Sequence, residues 1–133
     1  MEEITVHIEA EVNPTESEDK VKKAIENIFG PLQSKLQTVH KGGVLTAEIS
    51  TREPLFNLQN LLRRERIRAA ARIALLEGAD RKTLTFYLNK QVAFAGHLSF
   101  TKETAESPLG PIKVKITCEN PKEIVNWLTS ETM

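Results

Sequence analysis

The stretch Ile4-Thr5-Val6-His7-Ile8-Glu9-Ala10-Glu11-Val12 alternates apolar and polar side chains without interruption. Period two places Ile4, Val6, Ile8, Ala10 and Val12 on one face and Thr5, His7, Glu9 and Glu11 on the other, the pattern of a strand with one buried side. Asn13-Pro14 ends it. The period then changes: Val21, Ala24, Ile25, Ile28 and Phe29 recur at i, i+3, i+4, i+7 and i+8, a single apolar stripe along a helix. Thr15 and Glu18 have capping-box spacing, the acidic residues here suit a helix N-terminus, and Gly30-Pro31 is the stop. A one-faced strand followed by a one-striped helix is the building unit of a layered domain.

Outward from this unit, Leu36 to Val39 and Val44 to Ser50 read as two strands joined by the turn Lys41-Gly42-Gly43. Pro54 opens a helical pattern that runs to Glu77 with Gly78 as its stop, either one long helix or two with a break near Arg63. Leu84, Phe86 and Leu88 alternate as a strand. Val92 and Phe94, then Leu98 and Phe100, continue the apolar patterning after a short helical turn at Asn89 to Gln91. Ser107-Pro108-Leu109-Gly110-Pro111 is a stiff loop, and Ile112, Val114 and Ile116 form a strand. Asn120, Pro121 and Glu123 open a last helix with Ile124, Trp127 and Leu128 facing inward. The predicted order is β-α-β-β-α-β-β-β-α. It implies one α+β domain over residues 1–133, a mixed β-sheet with the helices packed largely on one face. Phe29, Ile67, Phe86, Ile116 and Trp127 sit on the apolar stripes of their elements and are expected in one core.

At 133 residues, 40% hydrophobic and 27% charged, the chain can close that core without metal or disulfide support. Its one cysteine, Cys118, excludes an intrachain disulfide and a Cys-rich zinc site, and fits a reducing cytoplasm. The opening Met1-Glu2-Glu3 is acidic where an export signal would be basic. The most apolar stretch, Ala69 to Leu76, is cut by Arg72 and is too short for a bilayer, so a cytoplasmic protein with no membrane partner is expected.

The net charge is zero, from 18 basic and 18 acidic residues, which argues against indiscriminate coating of nucleic acid. The distribution is polarised, however. Acids dominate residues 1–30, while residues 61–90 carry Arg63, Arg64, Arg66, Arg68, Arg72, Arg81, Lys82 and Lys90 against Glu65, Glu77 and Asp80. On one helix Arg64, Arg68 and Arg72 would line a face at i, i+4 and i+8, and the guanidinium fork matches phosphate, so the stripe could track an RNA backbone. The plainer alternative is a solvated helix face. The segment from Phe86 to His97 gathers Tyr87, Asn89, Lys90, Gln91 and His97 among core residues. Such groups could hold a base or a phosphate, or could simply satisfy a buried turn.

His7, His40 and His97 have no metal-ligand spacing, and Cys118 reads as a small core residue rather than a nucleophile. Glu9 and Glu11 share an outward strand face and read as solvated. No enzyme and no cofactor are expected. A weaker third reading, an enzyme acting on a phosphorylated small molecule, would need a deep pocket around Asn89, Lys90 and His97.

Three segments carry a family resemblance: Phe86-Tyr87-Leu88-Asn89-Lys90-Gln91, Glu106-Ser107-Pro108-Leu109-Gly110-Pro111-Ile112 and Leu62-Arg63-Arg64-Glu65-Arg66-Ile67. Together they resemble the archaeal uncharacterised-protein family numbered two hundred and one, over nearly the whole chain. That family looks like part of a wider group labelled RNA-binding or predicted exosome subunit. The resemblance implies a fold similar to the large-subunit ribosomal protein that binds 5S rRNA. It therefore implies a non-catalytic RNA-binding module for structured RNA such as rRNA. Arg64, Arg68, Arg72, Arg81, Lys82, Asn89, Lys90 and His97 are the candidate contacts. The alternative is an assembly module, a homodimer or a docking protein in which the arginines pair with the acidic first helix of a second chain.

Overall fold

The opening alternation becomes strand β1 (Thr5–Val12), with Val6, Ile8, Ala10 and Val12 buried and their odd-numbered neighbours partly or fully in solvent. The structure, a computed structural model, describes residues 4–31, 35–39, 42–102 and 110–130. After β1 come α1 (Glu18–Phe29), β2 (Lys35–Val39), β3 (Gly42–Ile49), α2 (Glu53–Glu65) and α3 (Arg68–Glu77). The chain continues through β4 (Thr83–Asn89), α4 (Lys90–Phe94), β5 (Phe100–Thr101), β6 (Pro111–Thr117) and α5 (Pro121–Leu128). His40 and the loop from Ser107 to Leu109 lie outside the described residues.

The strands form one sheet in the order β2-β3-β1-β6-β4-β5. Its pairings are antiparallel throughout, in place of the mixed sheet expected. The reason is in the connections. A parallel neighbour requires a crossover that returns beside the strand it left. Here α1 delivers the chain from β1 to the sheet edge at β2, and α2 with α3 deliver it from β3 past β1 and β6 to β4. Only β2–β3 and β4–β5 pair strands consecutive in the chain, and each of these reverses; β1–β3, β1–β6 and β6–β4 pair strands brought together from distant parts of the chain.

Alternation repeats on β3, β4 and β6, so Leu45, Ala47, Leu84, Phe86, Leu88, Ile112, Val114 and Ile116 line the same buried face as β1. The helices cover that face. Val21, Ile25, Ile28 and Phe29 of α1, Leu55, Leu58 and Leu62 of α2, Leu75 of α3 and Ile124, Val125 and Leu128 of α5 complete one core. Phe29, Phe86 and Ile116 are buried as expected, whereas Ile67 and Trp127 are only partly buried and pack against the core from its rim. Trp127 meets Phe56 edge to face at 5.2 Å, and the Arg52 guanidinium lies 5.7 Å from the Trp127 ring.

Two local expectations change and a third, the break near Arg63, is sharpened. The capping box at Thr15 and Glu18 does not form: the N-cap of α1 is Ser17, with no side-chain bond. Glu16 turns back instead and accepts from the Asn13 backbone N–H at 2.9 Å and from its amide at 2.8 Å. Val92 and Phe94 do not join a strand, because the Asn89 side chain accepts from Val92 N–H at 3.0 Å and starts a helix there. The long helical pattern does break, three residues beyond Arg63. Arg66 adopts the left-handed conformation (φ 56°, ψ 38°) and its N–H closes α2 onto the Leu62 and Arg63 carbonyls. At the other end of α3, Gly78 is needed for space. A Cβ there would lie 1.7 Å from the Thr85 carbonyl oxygen, in the turn where Thr85 N–H donates to the Gly78 carbonyl at 3.0 Å.

Two substitutions test this packing by urea unfolding. Phe86→Ala should cost roughly 3–5 kcal/mol, the range for emptying a buried aromatic site. Arg66→Gly should raise stability by about 0.5–1 kcal/mol, since an L-residue carries a steric penalty at positive φ that glycine lacks.

Candidate nucleic-acid interface

Between Glu53 and Glu77 the chain places five arginines (Arg63, Arg64, Arg66, Arg68 and Arg72) against one intervening carboxylate, Glu65. The break at Arg66 decides how they are displayed. Arg64 ends α2, and its guanidinium donates to the Gly96 carbonyl at 2.9 Å. Arg68 and Arg72 belong to α3 and reach the opposite way: Arg68 donates to the Ser130 carbonyl at 3.0 Å and Arg72 to the Thr129 hydroxyl at 3.4 Å. Two cations thus sit at the C-terminal end of α5, where carbonyls lack intrahelical partners and the helix dipole is negative. The straight i, i+4, i+8 stripe becomes a corner, with Arg64, Arg66 and Arg72 exposed and Arg68 half-buried.

Glu65 is the acid inside this run, and its charge is engaged. It accepts from Leu98 N–H at 3.2 Å and faces His97 Nδ1 at 2.9 Å. Burial pushes its carboxyl upward, but the hydrogen bonds from His97 and Leu98 and the charges of His97 and Arg64 outweigh that and hold it below the usual carboxylate range. His97 is exposed and clamps the loop after α4 to the end of α2.

The remaining predicted contacts separate from this corner. Arg81 and Lys82 are exposed in the turn before β4, beyond the far end of α3, with the Lys82 carbonyl accepting from Cys118 N–H at 2.9 Å. Asn89 is committed to capping α4. Lys90 is 4% exposed, and its ammonium donates to the Glu11 carbonyl at 2.7 Å and to Glu16 at 3.0 Å and 3.3 Å. A buried, paired ammonium does not present itself to a phosphate backbone, so Lys90 and Asn89 are corrected from contacts to structural residues. A groove of about 390 Å³ does run beside Lys90, between Thr15, Glu16, Lys20, Val21 and Phe94. Neither His97 nor Asn89 is among its walls, so this groove is not the pocket expected around Asn89, Lys90 and His97. Cys118 is buried, as a small core residue would be. Among the described residues no three His, Cys, Asp or Glu side chains gather as a metal-binding group, and no helix is long and apolar enough to cross a membrane.

Sequence reasoning missed two features. Glu16 stands 74 positions from Lys90, and no local pattern links them. Arg66 counted only as one more charge, yet its conformation creates the corner.

The fold and this corner define a two-layer α+β domain with an open antiparallel sheet on one side and an arginine-rich helix junction. A family model described as RNA binding matches residues 5–118. The UPF0201 protein of Aeropyrum pernix is 39% identical, covering 98% of this chain and 87% of that protein. The one from Sulfolobus acidocaldarius is 43% identical, covering 96% and 88%. The crystal structure of the UPF0201 protein from Methanococcus jannaschii superposes with a TM-score of 0.82 at 35% identity, covering 94% of this chain and 98% of that one. The chain belongs to the UPF0201 family. A DUF54 protein from Methanothermobacter thermautotrophicus, 17% identical with a TM-score of 0.68, shares the fold.

The Lys90–Glu16 pair yields a stability prediction. Burial pushes the Glu16 carboxyl upward, while bonds from the Asn13 backbone and side chain and from Lys90, with the Lys90 charge, pull it further down, to a net value below the ordinary 4.5. A folded value below the unfolded one means stabilisation that is complete above the ordinary carboxylate range and lost as pH falls through the lowered value. Glu16→Gln should therefore destabilise at neutral pH, and the deficit should shrink in acid. Lys90→Met alone should cost roughly 1–3 kcal/mol, because Glu16 keeps its Asn13 donors but it and the Glu11 carbonyl lose the Lys90 donor, and Lys90→Met with Glu16→Leu should cost less than Lys90→Met alone. A double-mutant cycle followed by urea unfolding at neutral and acid pH measures both.

Proposed function

We propose that this protein is a non-catalytic RNA-binding module that engages the phosphate backbone of structured RNA at the α2–α3 corner. The observation that carries the reading is the local excess of arginine around the break at Arg66, whose single intervening acid, Glu65, is held by His97 and Leu98. The carbonyls that Arg64 and Arg68 bond do not cancel charge, and each guanidinium offers five donors, of which such a bond uses one. The match of residues 5–118 to an RNA-binding family model supports the same reading. Arg81 and Lys82 extend the basic surface only if the RNA spans the length of α3.

Binding of a structured RNA such as 5S rRNA should weaken steeply with salt. Three to four phosphate contacts give a slope of about −3 in log K against log salt. Arg64→Glu with Arg72→Glu should flatten that slope by about two while costing only about 1–2 kcal/mol of stability, from the lost bonds to Gly96 and Thr129 and the charge reversal at the end of α5, so the fold stays intact. Titrations by fluorescence anisotropy across a salt series supply the measurement. Affinity that is absent, or insensitive to salt, removes the reading.

A further inference from the structure

Helix α3 is apolar on two opposite sides. Seven of its ten residues are Ala, Ile or Leu, and its inward stripe, Ala71 and Leu75, is fully buried. At about 100° per residue the opposite side carries Ala69, Ile73 and Leu76, with Ile73 at its centre, and Ala70 beyond Glu77 on the far flank of Ile73. Ile73 is 64% exposed and Leu76 39%, and Ala69 and Ala70 are exposed beside them. A helix apolar around most of its circumference is one that is covered on both sides. A β-branched residue on the solvent face also has no local justification, because it lowers helix propensity.

We propose that the outer face of α3 is covered by α3 of a second copy, packed antiparallel across a two-fold axis. The face is complementary to itself in that direction. Its small residues, Ala69 and Ala70, lie toward the N-terminal end, and its large ones, Ile73 and Leu76, toward the C-terminal end. Antiparallel packing sets the large side chains of each copy over the small ones of the other; a parallel pair would set large on large and leave the alanines apart. The flanking charges have the same polarity. Arg66, exposed, precedes the helix and Glu77, exposed, ends it, so the antiparallel arrangement brings Glu77 of one copy toward Arg66 of the other. An unrelated partner would have no reason to share this polarity.

The helix is short, about 15 Å, and one of its faces supplies less than the roughly 800 Å² per partner of a standard interface. The dimer is therefore weak and reversible, with a dissociation constant on the order of 10–100 µM. It would also set two arginine corners on one assembly, but self-association does not depend on the RNA reading and is measured without RNA.

Sedimentation velocity over roughly a hundredfold range of concentration tests it. The full chain should pass from monomer to dimer, and Ile73→Glu should remain monomeric with an unchanged circular-dichroism spectrum. Glu77→Arg and Arg66→Glu should each raise the dissociation constant, and the two combined should restore it toward the starting value. A full chain that stays monomeric at the highest concentration overturns the proposal. So does a dimer that Ile73→Glu leaves intact.

Discussion

The long strands β1, β3, β4 and β6 bury their apolar side chains on one common face, and the rest of the architecture answers that constraint. With one buried face available, α1, α2, α3 and α5 must share a single layer. Six strands give a sheet about 24 Å across, five gaps of roughly 4.8 Å. A continuous helix over residues 53–77 would be about 37 Å long. It would overshoot the surface it has to cover. The left-handed turn at Arg66 resolves the mismatch by folding the segment into two shorter helices, each with its own inward stripe. A side chain that pays a steric penalty there is retained although glycine would remove the penalty. That is the kind of local conflict that marks positions held for something other than folding.

Closing the layer at the other end falls to a polar contact. After β4 the chain must rise from the sheet onto the helical layer, and α4 is too short to bury much apolar surface. Lys90 lays its aliphatic stem into that junction and delivers its ammonium to the end of β1, at the Glu11 carbonyl, and to Glu16 in the loop before α1. Such a pair adds little net stability compared with an apolar substitute of the same shape, but it admits few alternative geometries. It fixes where the β4–α4 turn lies against the β1–α1 turn. The same fixation removes Lys90 from any list of residues free to meet a ligand.

The layered α+β class, the opening strand and helix, the β2–β3 hairpin and the inward Ile124 and Leu128 of α5 were legible from period and turn chemistry, because each is a local pattern. The antiparallel character of the whole sheet was not, since strand order depends on where α1 and α3 deliver the chain. The helix at Lys90 was half legible. The turn at Asn89 to Gln91 was visible, but Val92 and Phe94 suit either a strand or a single helical turn, and the cap from Asn89 decides between them. Among the candidate site residues, the arginine run was plain in the sequence, while its split at Arg66 depended on a break that periodicity placed three residues early. Lys90 was misassigned because burial and a partner 74 residues away leave no trace in the local sequence.

The zero net charge sets the sharper problem for a nucleic-acid reading, and the register of the sheet answers it. On the open face Glu9 stands directly across from Lys113, and His7 from Glu48 on one side and Lys115 on the other, with His7 and Glu48 3.7 Å apart. Opposite charges placed on neighbouring strands offset each other at short range, as Glu9 with Lys113 and His7 with Glu48 do. The arginine corner is built differently. Arg64 and Arg68 are held by carbonyls and Arg72 by a hydroxyl, groups that orient a cation without neutralising it, while Glu65, which also feels the Arg64 charge, is bonded to His97 and Leu98. A chain of balanced composition thus gathers Arg64, Arg66, Arg68 and Arg72 around a single engaged acid. That corner adjoins the one helix whose outer face is apolar. Burying that face against a second copy would leave the exposed Arg64 and Arg72 guanidinium groups at the rim, where an interface keeps its charges in contact with water.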